Sequence, residues 1–494
     1  MTTINGTSKI ITPLGERYHI NADFTASGVE HPDIKNFMDQ TVLPYYSNVH
    51  SNAHNGQLMH HYMEQSRDII RKSLRCKPCD KIIMTGQGCT GAIMHLIHLL
   101  NIRHETKPIT HVYLTVAEHH SNYLPWKHLP VNVKLVPLKE SGIIDVDFLM
   151  NDITKTRKEG HPVICSFIAG SNVTGVIQPF HGITRTLRKK IPGCLVFWDF
   201  AGCAPYVEIN MHLDNWSYFD AIMISPHKML GGPGTPGLLV ANANLFRNKE
   251  PYSPGGGTVR FVCSKFTHYS SNLETRESGG TPNILGCIRA GLCFQLKDRI
   301  IVKIKKREHD INLRVRTFLD NQKDIVMLNP ETRWNTSQFP VYALVIPNMH
   351  YNLVTALLND FFGIQSRGGV SCCSIYAQHL FHIKSKQQEK IYKDIIEDKG
   401  VSAGYGWCRV SFHYSMTDEL VEYILKSLSA VAKYGQPWKS KYQYDTKSNH
   451  WNYKGHNELY PTLDYRKNIE LTARVITPEL LGKQFNTAIK ELKN

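Results

Sequence analysis

Five short apolar runs in this chain each break off on a polar or glycine-rich cluster, with room for a helix before the next. Ile82–Met84 meets Thr85-Gly86-Gln87-Gly88-Cys89-Thr90-Gly91, and Val112–Val116 ends near Glu118-His119-His120-Ser121-Asn122. Val163–Ile168 ends near Gly170-Ser171-Asn172-Val173-Thr174-Gly175, Leu195–Trp198 at Asp199-Phe200-Ala201, and Ala221–Ile224 at Ser225-Pro226-His227-Lys228. Runs this apolar predict strands covered on both faces, so the alternation points to an α/β fold with a mainly parallel sheet. In such sheets ligands bind beyond the carboxyl ends of the strands. His119, Asn172, Asp199 and Lys228 each stand just past such an end.

Two of these clusters carry chemistry of their own. Lys228 follows a buried strand, and Gly231-Gly232-Pro233-Gly234 behind it lets backbone pass close to a bound molecule. A lysine partly shielded from water at such a place attacks carbonyl carbon to form a Schiff base. The Thr85–Gly91 turn opens a helix whose Ile93, Leu96, Ile97 and Leu100 form one apolar face. Strand, glycine turn and helix start together favour phosphate, because free N–H groups and the positive end of the helix dipole converge on the anion.

Composition removes several other readings. No apolar run among the 494 residues reaches the about 18 needed to span a membrane, and the first eleven residues lack the basic and apolar segments of a signal peptide. The expected location is the cytosol. Twelve cysteines scattered through apolar strands (Cys165, Cys194) and loops fit reduced thiols. The formal charge of +15 is spread along the chain, with no arginine-rich or aromatic-interleaved stretch, which argues for a solvated basic surface or attraction of anionic ligands and against a nucleic-acid partner. Cys76-Lys77-Pro78-Cys79 has no second such pair or spaced histidines, so no metal is expected.

Four segments follow along the chain. Residues 1–34 are polar and turn-rich and are expected to join a smaller domain, with Asp23–Gly28 as a loop able to approach a ligand. Residues 35–299 form the large domain. Residues 300–435, opening with a basic helical stretch Ile300–Phe318, form a smaller α+β domain. Residues 436–494 are an extension, expected as an irregular tail with a last helix near Pro478–Leu492.

The order of these pieces, from about residue 20 to about residue 435, resembles the class V aminotransferase and cysteine desulfurase family. Glu118–Asn122 with Pro125-Trp126, Asn172–Gly175, Asp199-Phe200-Ala201, Ser225–Lys228, Gly255-Gly256-Gly257-Thr258 and Gly280-Thr281-Pro282-Asn283 carry the likeness. The resemblance implies a fold type I homodimer that depends on pyridoxal 5'-phosphate (PLP). It implies Lys228 as the cofactor lysine and Asp199 as the carboxylate at the pyridine nitrogen. His119 stacks over the ring and acts as acid or base, with Ala201 against the opposite face. Asn172 meets the ring oxygen and a substrate carboxylate. Gly88, Cys89, Thr90, Ser225 and His227 hold the phosphate, and Thr258 donates to the phosphate of a neighbouring subunit. Two features depart from the family pattern: Gly202 stands where many desulfurases carry glutamine, and the C-terminal extension exceeds the usual length.

The fold leaves the reaction open, so substrate contacts must decide. Arg409 matches the family arginine that grips an amino-acid carboxylate through two parallel hydrogen bonds. Arg367 and, on the polar loop Asn48–His54, His54 are further substrate contacts. Cys372, five residues beyond Arg367, has the spacing of the cysteine that accepts sulfur as a persulfide in one group of desulfurases. The resemblance therefore implies conversion of L-cysteine to L-alanine, with a sulfur-acceptor protein downstream. The alternative is an aminotransferase or another PLP-dependent lyase with Cys372 a bystander; a binding protein on a degenerate fold is disfavoured by the presence of Lys228, Asp199 and His119.

Overall fold

The structure is a computed structural model and describes residues 8–102, 108–328, 337–397, 404–456 and 477–493. The chain divides into two compact units. One comprises Thr25–Lys306 and Pro330–Phe339, the other Met1–Phe24, Arg307–Asn329 and Pro340–Asn494.

The larger unit is built on a seven-stranded sheet in the order Asp80–Thr85, Gly237–Asn242, Ala221–Ile224, Leu195–Asp199, Val163–Ile168, Thr110–Thr115, Val131–Val136. Only Gly237–Asn242 runs against the rest. Because it lies between Asp80–Thr85 and Ala221–Ile224 and opposes both, those two strands point the same way. The glycine turn after Thr85 therefore reaches the same edge of the sheet as Lys228. All six residues of Val163–Ile168 and all four of Ala221–Ile224 are buried, as runs covered on both faces require. One face packs on the helix Gly88–Leu100 through Ala92, Ile93, Leu96 and Leu99. Phe180, Trp198, Phe200 and Phe219 form an edge-to-face aromatic cluster, with Phe180 and Phe200 ring centres 5.0 Å apart. That cluster pins the backbone on both sides of Asp199.

The smaller unit carries an antiparallel four-stranded sheet, Val326–Met327, Val341–Val345, Trp407–Ser411 and Arg367–Gly369 in that order. A short strand of the N-terminal segment, Ile20–Asn21, pairs in parallel with Ile364–Gln365. The last helix, Pro478–Lys493, is tied in by Gln484 Nε2 to the Phe362 carbonyl at 2.8 Å and by Trp438 Nε1 to the Leu492 carbonyl at 2.7 Å.

Two local expectations are corrected. The basic helical stretch does not open at Ile300; one helix runs unbroken from Ile284 to Asp320, since nothing between carries a proline or glycine strong enough to end it after Gly291. The extension is not irregular where it is described. Tyr442–Asp445 and His450–Tyr453 form an antiparallel hairpin, anchored by the Tyr442 hydroxyl on Asp360 at 2.7 Å, so aromatic residues spaced by two lie along strands. Residues 457–476 of the extension lie outside the described residues. Among the described residues no helix is long and apolar enough to cross a membrane, and all twelve cysteines are free thiols. The Cys76–Cys79 loop brings Cys79, Asp80 and His212 together, but the Asp80 carboxylate already accepts from His212 at 2.6 Å and from the Lys77 N–H at 2.7 Å.

Candidate active site

Strand ends supply the site of the larger unit. Lys228 closes a single helical turn, Pro226–Lys228, directly after Ala221–Ile224, and its N–H bonds the Ser225 carbonyl at 3.0 Å. The lysine and His227 are half-buried. Burial, then the Lys228 charge, lowers the His227 pKa to about 4, so this imidazole is neutral and offers one donor and one acceptor. The N-terminal loop packs onto the same turn, with the Gly28 N–H donating to the His227 carbonyl at 2.8 Å.

Asp199, the last residue of its strand, is 2% exposed. Desolvation pushes its carboxyl above the ordinary range, while the Ala201 N–H, at 2.8 Å from Oδ1, and the Lys228 ammonium pull it back. A carboxylate buried this deeply favours a cationic N–H partner. That fits a protonated pyridine nitrogen.

The turn and the helix start expected to hold an anion also meet. The helix Gly88–Leu100 starts on Gly88, whose φ of +58° is left-handed. A Cβ there would lie 2.6 Å from His227 Cε1 and 2.9 Å from Ser225 Oγ, so only glycine fits between turn and helix. Ser225 Oγ accepts the Cys89 N–H at 2.9 Å, joining the two phosphate candidates directly. The exposed Thr90 hydroxyl lies 2.7 Å from Ser121 Oγ. Ser121 in turn holds His119: its N–H donates to His119 Nδ1 at 3.2 Å, so the neutral ring carries its proton on Nε2. The Cys89 thiol is buried beneath, and desolvation raises its pKa well above the usual value.

Glu118 supports this corner and was not singled out as a site residue from the sequence. Its buried carboxylate accepts from Thr115 Oγ1 at 2.7 Å, the Ile168 N–H at 2.9 Å and Asn122 Nδ2 at 2.8 Å, tying two strands to the turn that carries His119. Burial nevertheless raises its pKa to about 7. Asn172 is buried on the loop after Val163–Ile168, and Ala201 is half-buried. Gly202 explains its own departure from the family pattern. A Cβ at 202 would lie 2.4 Å from the Gly170 carbonyl oxygen, so the two turns meet backbone to backbone and leave no room for a glutamine. Thr258 is fully buried within the chain and its hydroxyl donates to the Gly255 carbonyl at 2.6 Å. His54 is exposed, the first residue of the helix His54–Ser73.

The smaller unit holds the remaining candidates. Arg409, 2% exposed, lies in the strand Trp407–Ser411, and its Nη2 meets Asp23 Oδ1 at 2.5 Å. Asp23 belongs to the loop expected to approach a ligand; the sequence holds no local sign of a partner 386 residues away. Arg367 pairs across strands with Arg409 and lines a cavity of about 1240 Å³ walled in part by the C-terminal hairpin. Its Nη2 lies 3.7 Å from Cys372 Sγ. Ser371 and Cys372 both take left-handed backbone, with φ of 52° and 57°, and Cys372 is partly exposed. Cys373 beside it is fully buried.

Comparison with known proteins gives a consistent result. The family model described as aminotransferase class-V matches residues 20–424. A probable cysteine desulfurase of Halalkalibacterium halodurans is 28% identical over 341 residues, covering 68% of this chain and 79% of the relative. A probable cysteine desulfurase of Borreliella burgdorferi is 25% identical over 400 residues, 79% of this chain and 86% of the relative. The solved apo structure of a cysteine desulfurase from Thermococcus onnurineus superposes with a TM-score of 0.69 at 24% identity, covering 84% of this chain and 95% of that one.

Proposed function

The chain belongs to the aminotransferase class-V family, and from that premise we propose that it is a PLP-dependent cysteine desulfurase. Lys228 would hold the cofactor, Asp199 would face its pyridine nitrogen, and Gly88, Cys89, Thr90, Ser225 and His227 would surround its phosphate. Bound there, PLP supplies an electron sink for the bonds around the substrate's α-carbon. The residues do the rest. His119, whose Nδ1 accepts the Ser121 N–H, would serve as the acid or base for the substrate. Asn172 and Arg409 orient the substrate carboxylate, with Asp23 fixing the guanidinium; Arg367 and His54 are further contacts. The Cys372 thiolate attacks the substrate sulfur, so that an S–S bond forms and the carbon–sulfur bond breaks. A proton then completes alanine, and the balance is L-cysteine plus thiol to L-alanine plus persulfide.

The observation that carries this reading is the contrast between adjacent cysteines: Cys372 is partly exposed beside a guanidinium, and Cys373 is sealed in the core. An accessible thiol is what a sulfur acceptor needs, and the Arg367 guanidinium stands 3.7 Å from this one. We assign two copies per molecule, a reducing compartment such as the cytosol, and a protein acceptor for the persulfide sulfur. The test is incubation of the PLP-loaded protein with L-cysteine and a thiol reductant, measuring alanine, sulfide and trapped persulfide. Wild type and Cys373→Ala are expected to form all three. Cys372→Ala is expected to lose persulfide and most alanine while keeping its colour, and Lys228→Ala to lose everything. Undiminished alanine from Cys372→Ala, or a requirement for a keto acid, would move the chain to the aminotransferase or lyase reading.

A further inference from the structure

Lys297 is the residue of the larger unit that its proposed chemistry leaves unused and its energetics do not favour. It stands on the long helix in the stripe of Cys293, Phe294, Ile301 and Ile304, a place where the spacing calls for an apolar side chain. It is 4% exposed. Among the described residues its ammonium makes no hydrogen bond or ion pair; Nζ lies 5.6 Å from the centre of the Phe294 ring, and Asp298 and Glu208 act on it only as more distant charges. Burying an ammonium without an acceptor is costly, and the structure keeps one here.

What the ammonium faces is a cavity of about 900 Å³. Ile177, Phe180 and Ile301 are among its apolar walls. Lys72, Arg75 and Lys305 line it as well, against the acids Glu208 and Asp298. Lys305 and Arg75 share Glu208, at the rim, and Asp298 accepts the Ser73 hydroxyl at 2.8 Å. The cavity thus holds a buried ammonium beside apolar side chains, and its lining is net basic. Val207 and Glu208, which line the cavity, follow the turn after Asp199, so the cavity and Asp199 belong to the same unit.

We infer that this cavity is a second ligand site, taking a small organic anion with an apolar aryl or alkyl body, whose acid group pairs with Lys297. An inorganic anion would leave the apolar walls wet, and a neutral apolar ligand would leave the ammonium unpaired; an amphiphilic acid satisfies both. The depressed pKa of Lys297, brought to about 8 chiefly by burial, fits an ammonium awaiting a counter-charge.

The probe is 8-anilinonaphthalene-1-sulfonate, titrated by fluorescence into the PLP-loaded full chain. Wild type is expected to bind it saturably at one site per chain. Lys297→Met keeps length and apolarity and removes the charge, and is expected to weaken binding by about tenfold or more, the usual loss for one charge-assisted hydrogen bond. A second measurement needs no variant. Brief treatment of wild type with trinitrobenzenesulfonate near pH 8, then peptide mapping, is expected to find Lys297 modified and to find it protected by saturating anilinonaphthalenesulfonate. Wild-type affinity in Lys297→Met, or unchanged Lys297 labelling in the presence of the probe, would overturn the inference.

Discussion

Single side chains here divide into those whose surroundings complete them and those left waiting. Glu118 has donors from two strands and a helix, while Asp199 is buried with fewer than a carboxylate can use. Lys297 is the extreme case and gives the clearest stability prediction. Its pKa is lowered from 10.5 to about 8, so the folded state holds the proton less tightly than the unfolded state does. The cost is therefore full below pH 8 and fades as pH rises toward 10.5. Lys297→Met should be more stable than wild type at pH 7 by about 2–3 kcal/mol, from the linkage between pKa shift and stability. Thermal melts at pH 7 and pH 10 check this: the gap between the two proteins should be large at the first and small at the second.

Elements meet at this site through backbone, and that sets what each can tolerate. The turn after Leu195–Asp199 touches the turn after Val163–Ile168 at Gly202 and Gly170, closer than any Cβ permits. Even alanine at 202 must push the two strand ends apart. Gly202→Ala should cost about 1–3 kcal/mol, as forced overpacking does, and should loosen Asp199 with it. Urea unfolding and the rate of PLP release from the loaded protein measure the two effects. Equal stability and equal retention in Gly202→Ala would show that the turns separate freely. The helix Gly88–Leu100 is constrained in the same way by Gly88 against His227 and Ser225. The aromatic cluster around Phe200 explains why the strand end cannot simply shift sideways.

For the molecule as a whole, the surface near the Gly255–Thr258 loop bears on assembly. The hairpin that follows, Val259–Val262 and Thr267–Tyr269, exposes Phe261, Val262 and Phe266 at 59%, 60% and 70%. Apolar groups clustered on an exposed hairpin mark an interaction surface. We expect light scattering to give twice the 56.3 kDa chain mass, and Phe261→Ser with Phe266→Ser to shift the protein toward monomer. With a charge of +15, added salt is expected to strengthen that association by screening the repulsion between copies. A single-chain mass at all concentrations would remove the homodimer reading, and with it the role given to Thr258.

The sequence by itself determined the sheet and its chemical edge. Strand periodicity, the glycine turn and the lysine turn are local, each written in under ten neighbouring residues, so the positions of Lys228, Asp199, His119 and the Gly88 turn were legible without coordinates. Tertiary structure alone decided what depends on distant partners. Arg409 found Asp23, Gly202 met Gly170, and Lys297, just ahead of the basic stretch, proved to be buried against a cavity. The insertion of one antiparallel strand brought the glycine turn after Thr85 to the same sheet edge as the lysine turn. The physical reason is that a local pattern specifies which face of an element is apolar, whereas burial and pairing depend on which elements the chain folds against that face.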